Sequence, residues 1–101
     1  MHALAAPVEI VPPDLRDARQ PQVAVAPNGS IHIAFGKMNL IYYVASTDGG
    51  KTFSEPVIVG ELPKLALGMR RGPRIVATTK TLAISAISFQ DGNLHGWFSQ
   101  D

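Results

Sequence analysis

Three arginines stand close together in the middle of the chain, where they could bind an anion. Residues 64–74 hold four of the nine basic residues and no acidic residue. A planar guanidinium binds a carboxylate through two parallel hydrogen bonds, and several guanidinium groups together can define an anion subsite. Arg70, Arg71 and Arg74 are therefore the candidate residues for binding an anionic ligand or substrate. The alternative is a solvated basic loop, or arginines that pair with carboxylates elsewhere in a longer chain.

Few other residues form a pattern that catalysis or metal binding requires. The chain has no cysteine, which excludes disulfides and thiolate chemistry. His32 and His95 show no metal-ligand spacing, and Asp48 between small residues offers too few oxygen ligands for calcium. We expect no metal site and no cofactor. Asp14 and Asp17 lie in a predicted loop, where carboxylates are normally solvated.

The composition is that of a globular chain without a strong electrostatic preference. Hydrophobic residues make up 46% and charged residues 17%, with a net charge of +1. We therefore expect no nucleic-acid partner, and no apolar run reaches the roughly 18 residues of a membrane-spanning helix. Residues 3–7 resemble the end of a signal peptide, although no basic or apolar region precedes them. The alternative for these residues is an ordinary chain terminus. The location stays open, and among the possible locations a secreted or periplasmic one is favoured.

The stretch Ser46–Phe53 reads Ser-Thr-Asp-Gly-Gly-Lys-Thr-Phe, which is typical of a tight hairpin tip. Backbone N–H groups in such a tip have no strand partner, and the carboxylate of Asp48 can accept hydrogen bonds from them. The hydroxyls of Ser46 and Thr52 can make the remaining local bonds, and Gly50 allows unusual backbone angles. Phe53 can bury its ring between neighbouring sheets. These roles are structural rather than catalytic.

The two halves of the chain can be aligned with an offset near 52 residues. Residues 21–25 match 73–77, residues 31–34 match 82–85, and residues 42–46 match 95–99. The chain ends on Ser99-Gln100-Asp101, so Ser99 and Asp101 correspond to Ser46 and Asp48. A period near 50 residues built from short strands is typical of propeller blades.

The predicted elements are all β-strands, separated by turn signals such as Asn28-Gly29 and Asp91-Gly92. Residues 1–20 form an N-terminal segment that is either the end of a signal peptide or a closing strand. Residues 21–63 form a four-stranded antiparallel unit, in which Tyr42 and Tyr43 pack on the third strand. Residues 64–101 form a connecting loop and a second unit that stops before its fourth strand. The predicted strands cover residues 8–11, 21–25, 31–35, 40–46, 54–59, 74–78, 81–89 and 94–99.

The pattern Ser-x-Asp-x-Gly-x-Thr-Phe resembles the Asp-box of the bacterial neuraminidase repeat family, found in sialidases and sialidase-like β-propellers. The resemblance covers residues 21–101 and implies about two four-stranded blades of a six-bladed propeller. Members of that family are typically exo-glycosidases that remove terminal sialic acid. They use a tyrosine nucleophile with a glutamate, an aspartate as general acid, and three arginines that grip the substrate carboxylate.

What the resemblance implies for function depends on residues beyond the Asp-box, which lies away from the family's active site. The family's first substrate arginine usually stands in an Arg-Ile-Pro motif, whereas this chain reads Arg74-Ile75-Val76. The sequence therefore leaves catalysis uncertain, and this chain alone lacks a complete active site. The leading hypothesis is part of an exo-α-sialidase-type glycoside hydrolase or glycan-binding propeller that recognises sialic acid or another anionic glycan. The alternatives are a non-catalytic propeller serving as a binding or scaffold module, and another enzyme on the same scaffold.

The same resemblance carries an expectation about the isolated chain. A blade leaves open faces and strand edges that its neighbours cover, so the remaining blades of a longer chain are expected partners. Residues 1–101 alone should expose apolar surface and be prone to aggregate.

Overall fold

A computed structural model describes residues 7–68 and 71–100 as two antiparallel β-sheets. A short 3-10 helix precedes them at Pro13–Leu15. The first sheet, in the order β1-β2-β3-β4, contains β1 Arg19–Val25, β2 Ile31–Lys37, β3 Leu40–Ser46 and β4 Val57–Glu61. The second sheet, in the order β5-β6-β7, contains β5 Arg74–Ala77, β6 Thr81–Ile87 and β7 Leu94–Gln100. The predicted all-β class and the antiparallel order are confirmed.

The turns between strands are held by local hydrogen bonds. Asn28 Oδ1 accepts from the backbone N–H of Ser30 at 3.1 Å and from its hydroxyl at 2.7 Å. Gly29 supplies the left-handed backbone of that turn, with φ of 88°. The next turn falls on Met38 and Asn39, and Met38 carries the positive φ of 56°. The predicted strand at 31–35 left Gly36 in this turn, whereas the structure places Gly36 in β2.

The largest core lies between the two sheets. Its buried members are Ala34, Ile41, Leu62, Leu65, Ile75, Ile84 and Ala86. Trp97 on β7 packs against this core from the second sheet, and Tyr43 on β3 does so from the first. The loop after β4 contributes Leu62 and Leu65, and Leu65 also forms an isolated bridge with Ser88 beyond β6. The two sheets and the loop between them therefore share one apolar interior.

A second core covers the opposite face of the first sheet. Its buried members are Leu15, Ile33, Phe35 and Val44, and Val11, Ala18 and Phe53 pack around them. Strand β2 is thus buried on both faces, because Ala34 faces the second sheet while Ile33 and Phe35 face the N-terminal segment. The alternation of Ile31, Ile33 and Phe35 with His32 and Ala34 in the sequence predicts a strand with only one buried face. Ala34 is small enough to pack closely against the second sheet, so this face of the strand is buried as well.

The N-terminal segment differs from its prediction. Residues 8–11 were expected to form a short strand, but they lie outside any strand, and Val8 and Ile10 are exposed. The following prolines and the 3-10 helix turn the chain across the face of the first sheet, where Leu15 is buried. Because Leu15 is buried there, the segment lies over the face of the first sheet and not along the edge of a strand.

The two sheets share one pattern of strand pairing. Gln22 pairs with Ala34 in the first sheet, as Arg74 pairs with Ser85 in the second. Ile33 pairs with Val44, as Ile84 pairs with Trp97. These equivalent pairs are the ones that the alignment of the two halves matches, so each residue of the second sheet has a counterpart about 52 residues earlier.

A glycine on β4 lets the two sheets approach each other. A Cβ atom on Gly60 would lie 2.6 to 2.7 Å from three atoms of the Trp97 ring, which is too close. We expect Gly60→Ala to destabilise the protein by about 1–3 kcal/mol, because the rigid ring must move. Urea denaturation followed by fluorescence measures this directly, since Trp97 is the one tryptophan of the sequence.

The matched control is Gly68→Ala, because a Cβ atom there meets nothing within 4 Å and the backbone has no positive φ. This variant should change the free energy of unfolding by no more than about 0.5 kcal/mol. Equal stability losses in the two variants would contradict the close approach of Trp97 to β4.

Candidate functional site

The hairpin loop after β3 is closed by the side chain of Asp48. Its Oδ1 accepts the Ser46 hydroxyl at 2.7 Å and the Thr52 backbone N–H at 3.0 Å. Its Oδ2 accepts the Thr52 hydroxyl at 2.5 Å. Gly49 and Gly50 take positive φ values of 76° and 92°, which let the backbone turn around the carboxylate. The sequence predicted this local network and its members.

Ser46 anchors the loop to the end of β3. The residue is only 2% exposed, and its hydroxyl also accepts the Gly50 backbone N–H at 2.9 Å. Ser54 joins the other side of the loop back to the strand, because its backbone N–H donates to the Ala45 carbonyl at 2.8 Å. The loop is therefore tied to the strand at both ends.

These bonds decide what the Asp48 carboxylate can do chemically. The Thr52 hydroxyl and backbone N–H, with the Ser46 hydroxyl, hold the pKa of Asp48 well below its usual range. A carboxyl group that stays ionised and already accepts three hydrogen bonds is a poor proton donor. The geometry therefore favours a structural role over general acid catalysis.

Phe53 lies where the loop meets the second core. The sequence predicted its ring between neighbouring sheets, but it packs on the outer face of the first sheet, against the second core. The Asp48 loop thus helps to close the face that the N-terminal segment covers.

The arginine-rich stretch brings two of its three candidates to one cavity. Arg71 and Arg74 both line a cavity of about 140 Å³, together with Ala66, Gly72, Ser85, Ala86, Ile87 and Leu94. Neither Asp nor Glu occurs among these lining residues of the described chain. Arg70, the third candidate, lies outside the described residues. Two arginines and Ser85 therefore line one cavity of the second sheet.

The backbone around β5 explains how the two arginines are placed. The Arg71 backbone N–H donates to the Gly68 carbonyl at 3.0 Å, and its guanidinium carbon lies 5.1 Å from the centre of the Phe89 ring. Gly72 then takes a φ of 144° and passes so close to Gln20 that a Cβ atom would lie 2.4 Å from its side chain. This close passage leads the chain from the loop into the strand that carries Arg74.

The carboxylates proposed as minor candidates lie elsewhere. Asp17 forms an ion pair with Lys37 at 3.2 Å, and the backbone carbonyl of Asp14 accepts from the same ammonium group at 2.7 Å. Neither lines the arginine cavity. The described structure therefore does not bring these acids and the arginines into one site.

The tyrosines and histidines have structural partners. Tyr42 stacks on Phe35 with ring centres 5.5 Å apart. The Tyr43 hydroxyl and Ser30 hydroxyl lie 2.7 and 2.8 Å from the two ring nitrogens of His32, whose pKa is lowered by burial. His95 lies 3.2 Å from Asp91 within one hairpin. Among the described residues, no group of three or more possible metal-ligating side chains is found.

The second copy of the Ser-x-Asp pattern, at residues 99–101, is described only as far as residue 100. Ser99 pairs with Leu82 on β6, just as Ser46 pairs with Ile31 on β2. Asp101 lies outside the described residues. Ser99 thus occupies in the second sheet the position that Ser46 holds in the first.

Sequence reasoning missed two features of the second sheet. Ser85 and Leu94 complete the arginine cavity, and Phe89 lies against Arg71. The outward position of Ser85 could have been read from its place between Ile84 and Ala86, which face the other sheet. The contact with Phe89 depends on the path of a loop and has no sequence signal.

Comparison with known protein families, with characterised proteins and with solved structures gave no match to this chain. Within the described residues, no helix has the length and apolar character needed to cross a membrane. The case for function therefore depends on the geometry of the loop, the sheets and the cavity.

The pH dependence of stability tests the Asp48 network. Its pKa is lowered by folding from an ordinary value of 3.8, so the stabilisation is complete above that pH and is lost as the pH falls below it. We expect Asp48→Asn to be less stable than the wild type at pH 7. This difference should shrink as the pH falls from about 4 to about 2. Denaturant unfolding at each pH gives the two free energies.

Glu55→Gln is the control, since it removes an exposed carboxylate close to the same loop. Its stability difference from the wild type should stay near zero across the range. Other groups, including His32, titrate in both proteins, so their effects cancel when the two free energies of unfolding are subtracted. A difference in the free energy of unfolding between Asp48→Asn and the wild type that stays constant down to pH 2 would therefore contradict the network.

Proposed function

We propose that this chain is a pair of blades from a sialidase-like, Asp-box β-propeller and that it binds the carboxylate of an acidic sugar. The class is supported by the Asp48 loop, whose hydrogen bonds use the same serine, aspartate and threonine that the motif specifies. It is also supported by the stacking of two antiparallel sheets that share one register. Full repeats of this kind, continued in a longer chain, would close a ring.

The observation that carries the binding proposal is the cavity shared by Arg71 and Arg74. Two arginines and no acidic residue line it, so their charge attracts an anion, and a guanidinium that turns toward the anion can donate two parallel hydrogen bonds. The Ser85 hydroxyl can donate a further bond. A volume of about 140 Å³ accommodates a carboxylate, while most of a sugar ring would lie on the surface outside. Phe89, a residue that is 53% exposed beside Arg71, offers an apolar surface there.

Binding and hydrolysis make different demands on this site. Hydrolysis of the sialidase type needs a nucleophile and a general acid at the bound sugar, and neither Tyr, Asp nor Glu lines the described cavity. Tyr42 and Tyr43 are engaged in packing and hydrogen bonding on the first sheet. An exo-α-sialidase activity would therefore require residues from other blades. The alternative is a non-catalytic binding or scaffold module, in which the same cavity only recognises the glycan.

Titration with N-acetylneuraminic acid tests the proposal. We expect saturable chemical-shift changes at the cavity, and we expect Arg71→Ala and Arg74→Ala each to weaken binding at least about tenfold. Lys80→Ala is the matched control, because it removes an exposed cation from the β5–β6 turn of the same sheet. It should leave the affinity unchanged, whereas equal losses in all three variants would indicate nonspecific charge attraction.

The methyl ester of the same sugar separates carboxylate recognition from general sugar binding. The ester should bind more weakly than the acid to the wild type, and this preference should disappear in Arg74→Ala. Equal affinity for the acid and the ester would exclude a carboxylate subsite. A fluorogenic sialoside incubated with this chain should not be turned over, and turnover that survives both arginine substitutions would show that catalysis lies elsewhere.

A further inference from the structure

The outer face of the second sheet presents an apolar row to solvent. Val76, Ala83 and Phe98 lie side by side across its three strands through the pairings of β6 with β5 and β7. Val76 is 66% exposed and Phe98 is 77% exposed. Large side chains in a continuous row are uncommon on a free surface and typically mark a contact site.

The shared register identifies what kind of surface fits this row. Its counterpart in the first sheet is Ala24, His32 and Ala45, and Ala24 packs against the core between the sheets. The equivalent face of the first sheet is therefore not open, because the second sheet covers it. The surface that covers it presents Ile84 and Trp97 from the second sheet.

The opposite face of the first sheet is covered by the N-terminal segment and not by a sheet. The counterparts of Ile84 and Trp97 are Ile33 and Val44, and both are buried beneath the N-terminal segment. Leu15 is the buried anchor of that segment, and Val11 is half-buried at its edge. The chain therefore exposes one face that can stack on another sheet, namely the outer face of the second sheet. The complementary face, on the first sheet, is covered by the N-terminal segment.

We propose that the open row on the second sheet binds a further sheet of the same repeat, and that residues 11–18 are a cap that prevents this chain from binding itself head to tail. The occupant is a sheet that presents the counterparts of Ile33, Phe35 and Val44. A second copy carries such a face, but its cap covers it. In contacts of this head-to-tail type each chain binds the next, so an uncapped chain would assemble into rings or filaments larger than a dimer.

This inference rests on the proposed repeat architecture, on strand register and on burial, whereas sugar binding rests on the arginines. Phe98 does not line the arginine cavity, but it shares a neighbouring cavity of the same face with Arg74 and Ser85. Loss of sugar binding would leave the stacking proposal intact, and failure of stacking would leave the sugar proposal intact.

The test uses variants of residues 1–101, one that opens the covered face and one that blocks the open row. Leu15→Asp places a charge beneath the cap and should release it from Ile33 and Val44. Phe98→Lys places a charge in the open row. The double variant Leu15→Asp/Phe98→Lys then presents only the uncapped face, while the wild type presents only the open row.

Sedimentation velocity should show a 1:1 complex when the double variant is mixed with the wild type. Phe98→Lys alone, mixed with the same double variant, should bind at least about tenfold more weakly. Leu15→Asp by itself should form species larger than dimers that grow with concentration. Adding the double variant should shorten them, because it ends a chain.

Three outcomes would overturn the proposal. The first is a double variant that keeps the far-UV β spectrum and cooperative unfolding but does not bind the wild type. The second is wild-type dimerisation that Phe98→Lys abolishes, since this would show two open rows meeting each other. The third concerns a replacement variant. If Leu15→Asp loses the β spectrum, Val11→Asp/Phe98→Lys is used in place of the double variant, because Val11 lies at the edge of the cap. Absence of a complex between this variant, when folded, and the wild type would also overturn the proposal.

Discussion

A sheet with two apolar faces needs two covers, and this requirement organises the molecule. Strand β2 is buried on both sides, so neither side of the first sheet can face water without exposing Ile33 and Phe35 or Ala34. The second sheet supplies one cover, and the N-terminal segment with Phe53 supplies the other. The positions of the Asp48 loop, the entry to β5 and the arginine cavity all follow from this three-layer arrangement.

The features that sequence predicted well are those whose partners lie within a few residues. The Asp48 loop and the Asn28 turn are closed by hydrogen bonds spanning two to four residues, so residue types and spacing describe them almost completely. Most strands followed from period-two patterns between such turns. The path of residues 8–18 could not be predicted in this way, because it is decided by the burial of Leu15 on a distant face.

In the candidate site, too, the sequence predicted the local features and missed those that depend on distant residues. The sequence identified Arg71 and Arg74 as neighbours on a basic stretch, and the fold brings both to one cavity. Their partners Ser85 and Phe89 arrive from β6 and the turn after it, through pairings that a local pattern does not specify. The two-sided burial of β2 was missed for a similar reason, since Ala34 is neutral by composition and becomes a core residue only when another sheet packs on it.

The order of strands within each sheet also has a consequence for how the chain is made. Every named strand pairs only with strands adjacent in sequence, so each sheet can form from local contacts soon after its last strand is synthesised. Residues 11–18 emerge before the first sheet and are ready to cover one of its faces as it forms. Its other face must wait until the second sheet has been translated. The order of synthesis thus shields one apolar face early, and the interval of exposure is limited to the time needed to make β5 to β7.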